Sequence, residues 1–137
     1  DGVTPLHGAV FRGRAAVLGL LLDSGGEVSA KDNHSASPLD YAAVSGHAAA
    51  VLLLLDRGAD VSAKDNHSAS PLDYAAVSGH AAAVQLLLDR GADVLSETDD
   101  GQTSEDLATA RSHPQIAAML KAEALRRAKC EALLGDR

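Results

Sequence analysis

His34, Ser35, Ser37 and Asp40 fall within seven residues and hold the side-chain types of a hydrolase triad: a hydroxyl, an imidazole and a carboxylate. The same types recur as His67, Ser68, Ser70 and Asp73, and the pair His34 and His67 invites a second reading as metal ligands. Repetition argues against both chemistries. An active site rarely needs an adjacent copy, whereas a stacking unit always does. A Ser followed by Pro is a helix N-cap with Pro at the first helical position, and an acid three residues later completes a capping-box spacing at the positive end of the helix. Ser37 with Asp40, and Ser70 with Asp73, fit that pattern, so these groups already have a structural role and no catalytic residue is assigned. Equivalent histidines in adjacent helical units lie on the order of 10 Å apart, too far to share a zinc ion bound at about 2 Å, and no third ligand presents itself. No metal site is assigned. No GxxxxGK or GxGxxG loop is present, so no cofactor is expected.

The elements that position these residues follow a countable period. Val28–Asp60 and Val61–Asp93 are each 33 residues long and differ only at Leu52 against Gln85. The period extends outward: Thr4, Ser37, Ser70 and Thr103 introduce TPLHGA, SPLDYA, SPLDYA and TSEDLA, and Gly13, Gly46, Gly79 and Ser112 share the next position, followed by Arg14, His47, His80 and His113. Each unit is expected to be a helix starting at the Ser/Thr cap and ending near the Gly, a second helix such as His47–Arg57, and a hairpin-like loop such as Val61–Ser70. One unit exposes apolar faces on both sides, and stacked copies bury them in one continuous core. The fold class is all-α, a solenoid of stacked helix-turn-helix units in a single domain over 1–137, with repeats about 1–27, 28–60, 61–93 and 94–123 and a C-terminal extension over 124–137.

Composition narrows the function classes. The chain has 137 residues, of which 46% are apolar, enough for a core, and that core must be aliphatic, since Phe11, Tyr41 and Tyr74 are the only Phe, Tyr or Trp. Three rings leave almost nothing to stack on bases or to build an aromatic cage. A net charge of −7 and a pI near 5.2 disfavour nucleic acid and anionic membranes as partners. Cys130, the single cysteine, supplies no intrachain disulfide and fits a reducing, intracellular setting. The longest apolar runs, such as Ala48–Leu55, are far too short to span a bilayer.

The segments GVTPLHGAVFRGRAAVLGLLLDSGGEV and SASPLDYAAVSGHAAAVLLLLDRGADVSAKD with its copy resemble ankyrin repeats, whose pattern is Gly, one residue, TPLH, paired alanines, GH, an aliphatic helix and GADVNA. The resemblance covers residues 1–123. It implies L-shaped stacks that bind other proteins through hairpin tips and the concave face of the inner helices, without enzymatic activity. Departures carry expectations of their own. His7 alone keeps the TPLH histidine, while Asp40, Asp73 and Asp106 replace it, so the His-mediated bridging between loops should be missing in the middle. Ser35 and Ser68 stand where Gly2 and Gly101 keep the hairpin glycine, so the middle hairpins should be strained or differently turned. Pro114–Leu134 reads as one terminal helix, with Ile116, Met119 and Leu120 packed on the third unit and Arg126, Arg127 and Lys129 solvated. The face of the first unit bearing residues such as Val10 should lie open unless further repeats precede it.

Carried over position by position, the resemblance places partner binding at Val3, Phe11 and Arg12 in the first unit and at Lys31, Asn33, His34, Ala36, Val44 and Ser45 in the second. The third repeats these as Lys64, Asn66, His67, Ala69, Val77 and Ser78, and the fourth offers Glu97, Asp99, Asp100, Gln102, Ala110 and Arg111. Solvated loop residues would look the same, but a lone Phe at an exposed inner-helix position is a natural anchor. The strip runs from Phe11 and Arg12 to the acidic pair Asp99 and Asp100, which suits an extended protein segment with a basic end, bound by a monomer. The alternative is an engineered or duplicated-repeat scaffold without a native partner, since the near-identity of the middle units fits recent duplication or deliberate construction.

Overall fold

The computed structural model describes residues 2–135. Eight helices follow one another with no strand among the described residues: α1 (Pro5–Phe11), α2 (Ala15–Asp23), α3 (Pro38–Ser45), α4 (Ala48–Asp56), α5 (Pro71–Ser78), α6 (Ala81–Asp89), α7 (Ser104–Ala110) and α8 (Pro114–Gly135). Each odd-numbered helix pairs with the next even-numbered one, and contacts between successive odd helices are denser than those between successive even ones. The stack therefore curves towards an inner row of α1, α3, α5 and α7.

Local chemistry sets the helix ends. All four inner helices begin in a capping box: Thr4 with His7, Ser37 with Asp40, Ser70 with Asp73 and Thr103 with Asp106. Gly46 and Gly79 end α3 and α5 in the left-handed conformation, at φ of 72° and 78°. The inner rows Leu6–Val10 and Leu39–Ala43 lie four residues apart on one helix face, and they join Leu18, Val51, Leu54, Leu72, Val84 and Leu87 in one aliphatic cluster. Small residues at Ala42, Ala43, Ala75 and Ala76, all 0% exposed, let the inner helices approach closely.

Val10 is fully buried in that cluster, so it does not mark an open face as expected. It shares the inward row of Leu6, which the second unit covers. On α2 of the first unit Val17 and Leu20 are left open, at 41% and 66% exposure, whereas Ala50 and Ala83, the counterparts of Val17, are covered.

α8 runs unbroken past Ala124, and Ile116 and Leu120 are buried with Met119 packed beside them. Arg126 lies exposed, but Arg127 is not simply solvated. Its Nη1 donates to the Ala92 carbonyl at 2.5 Å and its Nη2 to the Leu88 carbonyl at 3.3 Å, while Nε donates to Glu123 at 2.7 Å. The long helix thus reaches back one unit and satisfies carbonyls left over at the end of α6.

Candidate protein-binding surface

The hairpin tips are built around Asp32 and Asp65. Asp32 Oδ1 accepts the amides of His34 at 2.9 Å and Ala36 at 3.0 Å, and its Oδ2 accepts the Tyr41 hydroxyl at 2.5 Å. Asp65 does the same with the amides of His67 and Ala69 and the Tyr74 hydroxyl. Each aspartate thereby locks its loop to the inner helix that follows. Burial alone would raise the Asp32 carboxyl, but the Tyr41 hydroxyl and the two amides outweigh it and hold the group below the usual carboxylate range. Burial and the bond to Asp32 push Tyr41 up to about 12, and burial with the bond to Asp65 pushes Tyr74 higher still. Both hydroxyls therefore stay protonated donors at neutral pH. Thr98 occupies the equivalent position in the fourth unit and Leu107 replaces the tyrosine, so the fourth unit lacks this clamp.

Adjacent tips are tied into a ladder. The Asn66 amide donates to the His34 carbonyl at 3.1 Å, the Asp99 amide to the His67 carbonyl at 3.0 Å, and Ser68 Oγ to Asp99 Oδ1 at 2.6 Å. Ser35 and Ser68 keep the turn made by Gly2 and Gly101 and do so at φ of 61° and 62°, so the strain expected there is present. The expected sites divide by exposure: Phe11, Arg12, Asn33, His34, Val44, Asn66, His67, Asp99, Asp100 and Arg111 are exposed, while Ser45, Val77, Ser78 and Gln102 are half-buried. Ala36 is only 8% exposed, because the Asp32 turn folds it inward, and it is not a surface position. Ser45 Oγ donates to the Tyr41 carbonyl at 2.8 Å.

Between the first three units the inner row leaves a cavity of about 300 Å³. Its lining includes Phe11, Tyr41 and Tyr74, all the Phe and Tyr residues of the chain, together with Val44, His34, His67, Asp32, Asp40 and Asp65. Residues with little apparent use when counted along the chain converge here, because stacking superimposes positions 33 apart. The spacing of nine residues from Asp32 to Tyr41, repeated from Asp65 to Tyr74, was the available sign.

Asp40 is 2% exposed. Its Oδ2 accepts the Ser37 amide at 3.0 Å, and its Oδ1 has no hydrogen-bond partner. The neighbouring units show what is missing. In the first, His7 Nε2 lies 3.1 Å from the Ala36 carbonyl of the next loop, and its ring meets Tyr41 edge-on at 4.7 Å. In the third, Asp73 Oδ1 accepts Ser104 Oγ at 2.5 Å. The counterpart of Ser104 facing Asp40 is Pro71, which has no donor. Burial raises the Asp40 carboxyl to about 7 against the pull of the Ser37 amide. Bridging by the inner-helix histidine is confined to His7, as expected, but a second ladder spans the middle: His80 Nε2 lies 2.9 Å from the Val44 carbonyl and His113 Nε2 3.1 Å from that of Val77.

Ser37 and Asp40 face each other across a cap, while His34 is exposed on a tip, so the triad letters do not assemble. Among the described residues no group of three or more His, Cys, Asp or Glu is placed to hold a metal ion, and no helix is long and apolar enough to cross a membrane. No curated protein matches the chain. Two family models do, one described as ankyrin repeats (3 copies) over residues 1–65 and one as ankyrin repeats (many copies) over 54–108. Members of that family generally bind other proteins and are typically not enzymes. With the 33-residue period, the capped helix pairs and the two matches in agreement, the chain belongs to the ankyrin-repeat family.

Proposed function

We propose that the chain is a non-enzymatic interaction module that holds an extended, partly basic segment of a partner protein along its hairpin tips and inner-helix face. The observation that carries this reading is the tip ladder, which fixes exposed Asn33, His34, Asn66, His67 and Asp99 in one row beside Phe11, itself 58% exposed. A surface held rigid before binding loses little freedom when a partner docks. Phe11 supplies an apolar anchor at one end and Asp99 with Asp100 a negative patch at the other. The near-identity of the second and third units favours a second reading, a duplicated or engineered scaffold with no native partner.

Selection of a displayed random-peptide library on the full chain separates the two. The module reading expects enrichment of sequences carrying Lys or Arg, bound less tightly at high salt and weakened by Phe11→Ala and by paired Asp99→Lys and Asp100→Lys. An unenriched library, or binders indifferent to all three changes, favours the empty scaffold.

A further inference from the structure

Resting on the reading of the tips and inner face as one binding strip, we propose that the seam between α3 and α5 is a proton-controlled hinge. The strip is held continuous while Asp40 carries a proton. Ionisation of Asp40 lets the third and fourth units open away from the first two, until a bound segment bridges the tips and closes them.

The seams of the inner row differ in what they bury. Between the first and second units His7 Nε2 meets the Ala36 carbonyl at 3.1 Å, and between the third and fourth Ser104 Oγ donates to Asp73 Oδ1 at 2.5 Å, both out of contact with water. The middle seam has Asp40 Oδ1 instead, buried and without a donor, and Pro71 where the next unit has Ser104. The polar ties across it lie at the surface: the Asn66 amide on the His34 carbonyl, Lys31 Nζ on the Lys64 carbonyl at 3.2 Å, and Arg90 on Asp56 at 2.6 Å. Such bonds exchange for water at little cost, so apolar packing of Ala42, Ala43, Ala75 and Ala76 holds the seam. A neutral carboxyl fits there, whereas a carboxylate with an unpaired oxygen shut away from water is costly, and opening the seam hydrates it. The other ionisable groups on the packed elements are engaged. His7, the only one on α1, has its ring nitrogens on Thr4 and the Ala36 carbonyl; Asp56, the only one on α4, pairs with Arg90; on α5 Asp73 is bonded to Ser70 and Ser104, and the Tyr74 hydroxyl to Asp65. The Tyr41 hydroxyl of α3 itself is given to Asp32. In the tip loops Asp65 opposes ionisation of Asp40, and Lys31 favours it by less than burial opposes it. Closing the seam therefore takes up a proton, and the hinge loosens as pH rises towards 7.

Amide exchange on the full chain tests the hinge without a partner. The amides of Asn66 and Asp99 are matching rungs on either side of the third unit, on the His34 and His67 carbonyls at 3.1 and 3.0 Å. Expressed as protection factors, which remove the intrinsic pH dependence of exchange, Asn66 should lose about tenfold more protection than Asp99 between pH 5.5 and pH 7.5. Asp40→Asn should bring the two rungs level, as should Pro71→Ser, which offers Asp40 the donor that Ser104 offers Asp73. Ser104→Ala should make Asp99 follow Asn66. Equal losses at the two rungs of the parent chain would overturn the proposal, as would an Asn66 loss that persists in Asp40→Asn. A saturating enriched peptide that bridges the tips should restore Asn66 protection at pH 7.5; a bound peptide that leaves it unrestored would contradict closure by the partner. A loss confined to Asn66 in a chain on which no peptide is enriched would leave the hinge standing and remove the interaction module. An enriched peptide on a chain whose rungs stay level would do the reverse.

Discussion

Replacing Asp40 with Asn should stabilise the protein most above neutral pH, with less than half of that gain present at pH 5. The folded chain holds the Asp40 proton up to about 7, whereas the unfolded chain releases it near the ordinary value of 3.8. Between those values folding takes up a proton, so this carboxyl makes stability fall as pH rises from about 4 to about 7 and adds nothing further above. A shift of that size corresponds to as much as about 4 kcal/mol. Asn keeps an oxygen for the Ser37 amide but gives up the favourable charge at the helix start, about 0.3–1 kcal/mol, so a net gain of roughly 3 kcal/mol is expected at pH 8. Urea unfolding of both proteins at half-unit steps from pH 4.5 to 8.5 measures it. The difference between the two curves isolates this group from Asp32 and Glu123, whose carboxyls are held low and whose contributions are lost only in acid. Parallel curves, with the same difference at pH 5 and pH 8, would refute the reasoning.

Three further outcomes follow from the same contacts. Ser104→Ala should recreate the Asp40 defect one unit on, because Asp73 Oδ1 loses its donor; a loss of about 1.5–3 kcal/mol is expected in urea unfolding at pH 8. Ser35→Gly should stabilise by up to about 1 kcal/mol by relieving a left-handed serine, and Ser68→Gly by less, since Ser68 Oγ also holds Asp99; equal gains would show that the Ser68 bond contributes nothing. Removing Lys121–Arg137 should loosen the fourth unit first, because Arg127 no longer ties α8 to α6; amide exchange that quickens uniformly along the chain would contradict this.

The period made the helix pairs legible, because a 33-residue repeat with Ser-Pro caps and closing glycines states each helix boundary locally. The strain at Ser35 and Ser68 was legible for the same reason, as a side chain stood where the turn requires φ > 0. What depends on a neighbouring unit was harder to see. Val10 was misplaced because burial follows from the unit stacked on it. Arg127 was misplaced because its partners lie 35 and 39 residues away in sequence. The cavity escaped notice since its rings belong to three units and its aspartates looked like loop polarity. Asp40 and Asp73 are identical in local sequence and differ only in what the following unit offers them, Pro71 or Ser104.

The proposed binding on the tips and inner face leaves a footprint that NMR can read. Amide and side-chain NMR shifts on adding an enriched peptide test it most directly. Perturbations should concentrate at Phe11, Asn33, His34, Asn66, His67 and Asp99, with Leu52 and Gln85 on the outer helices unmoved and Leu52→Gln binding as the parent does. A footprint centred on Leu52 and Gln85, with the tips silent, would contradict it.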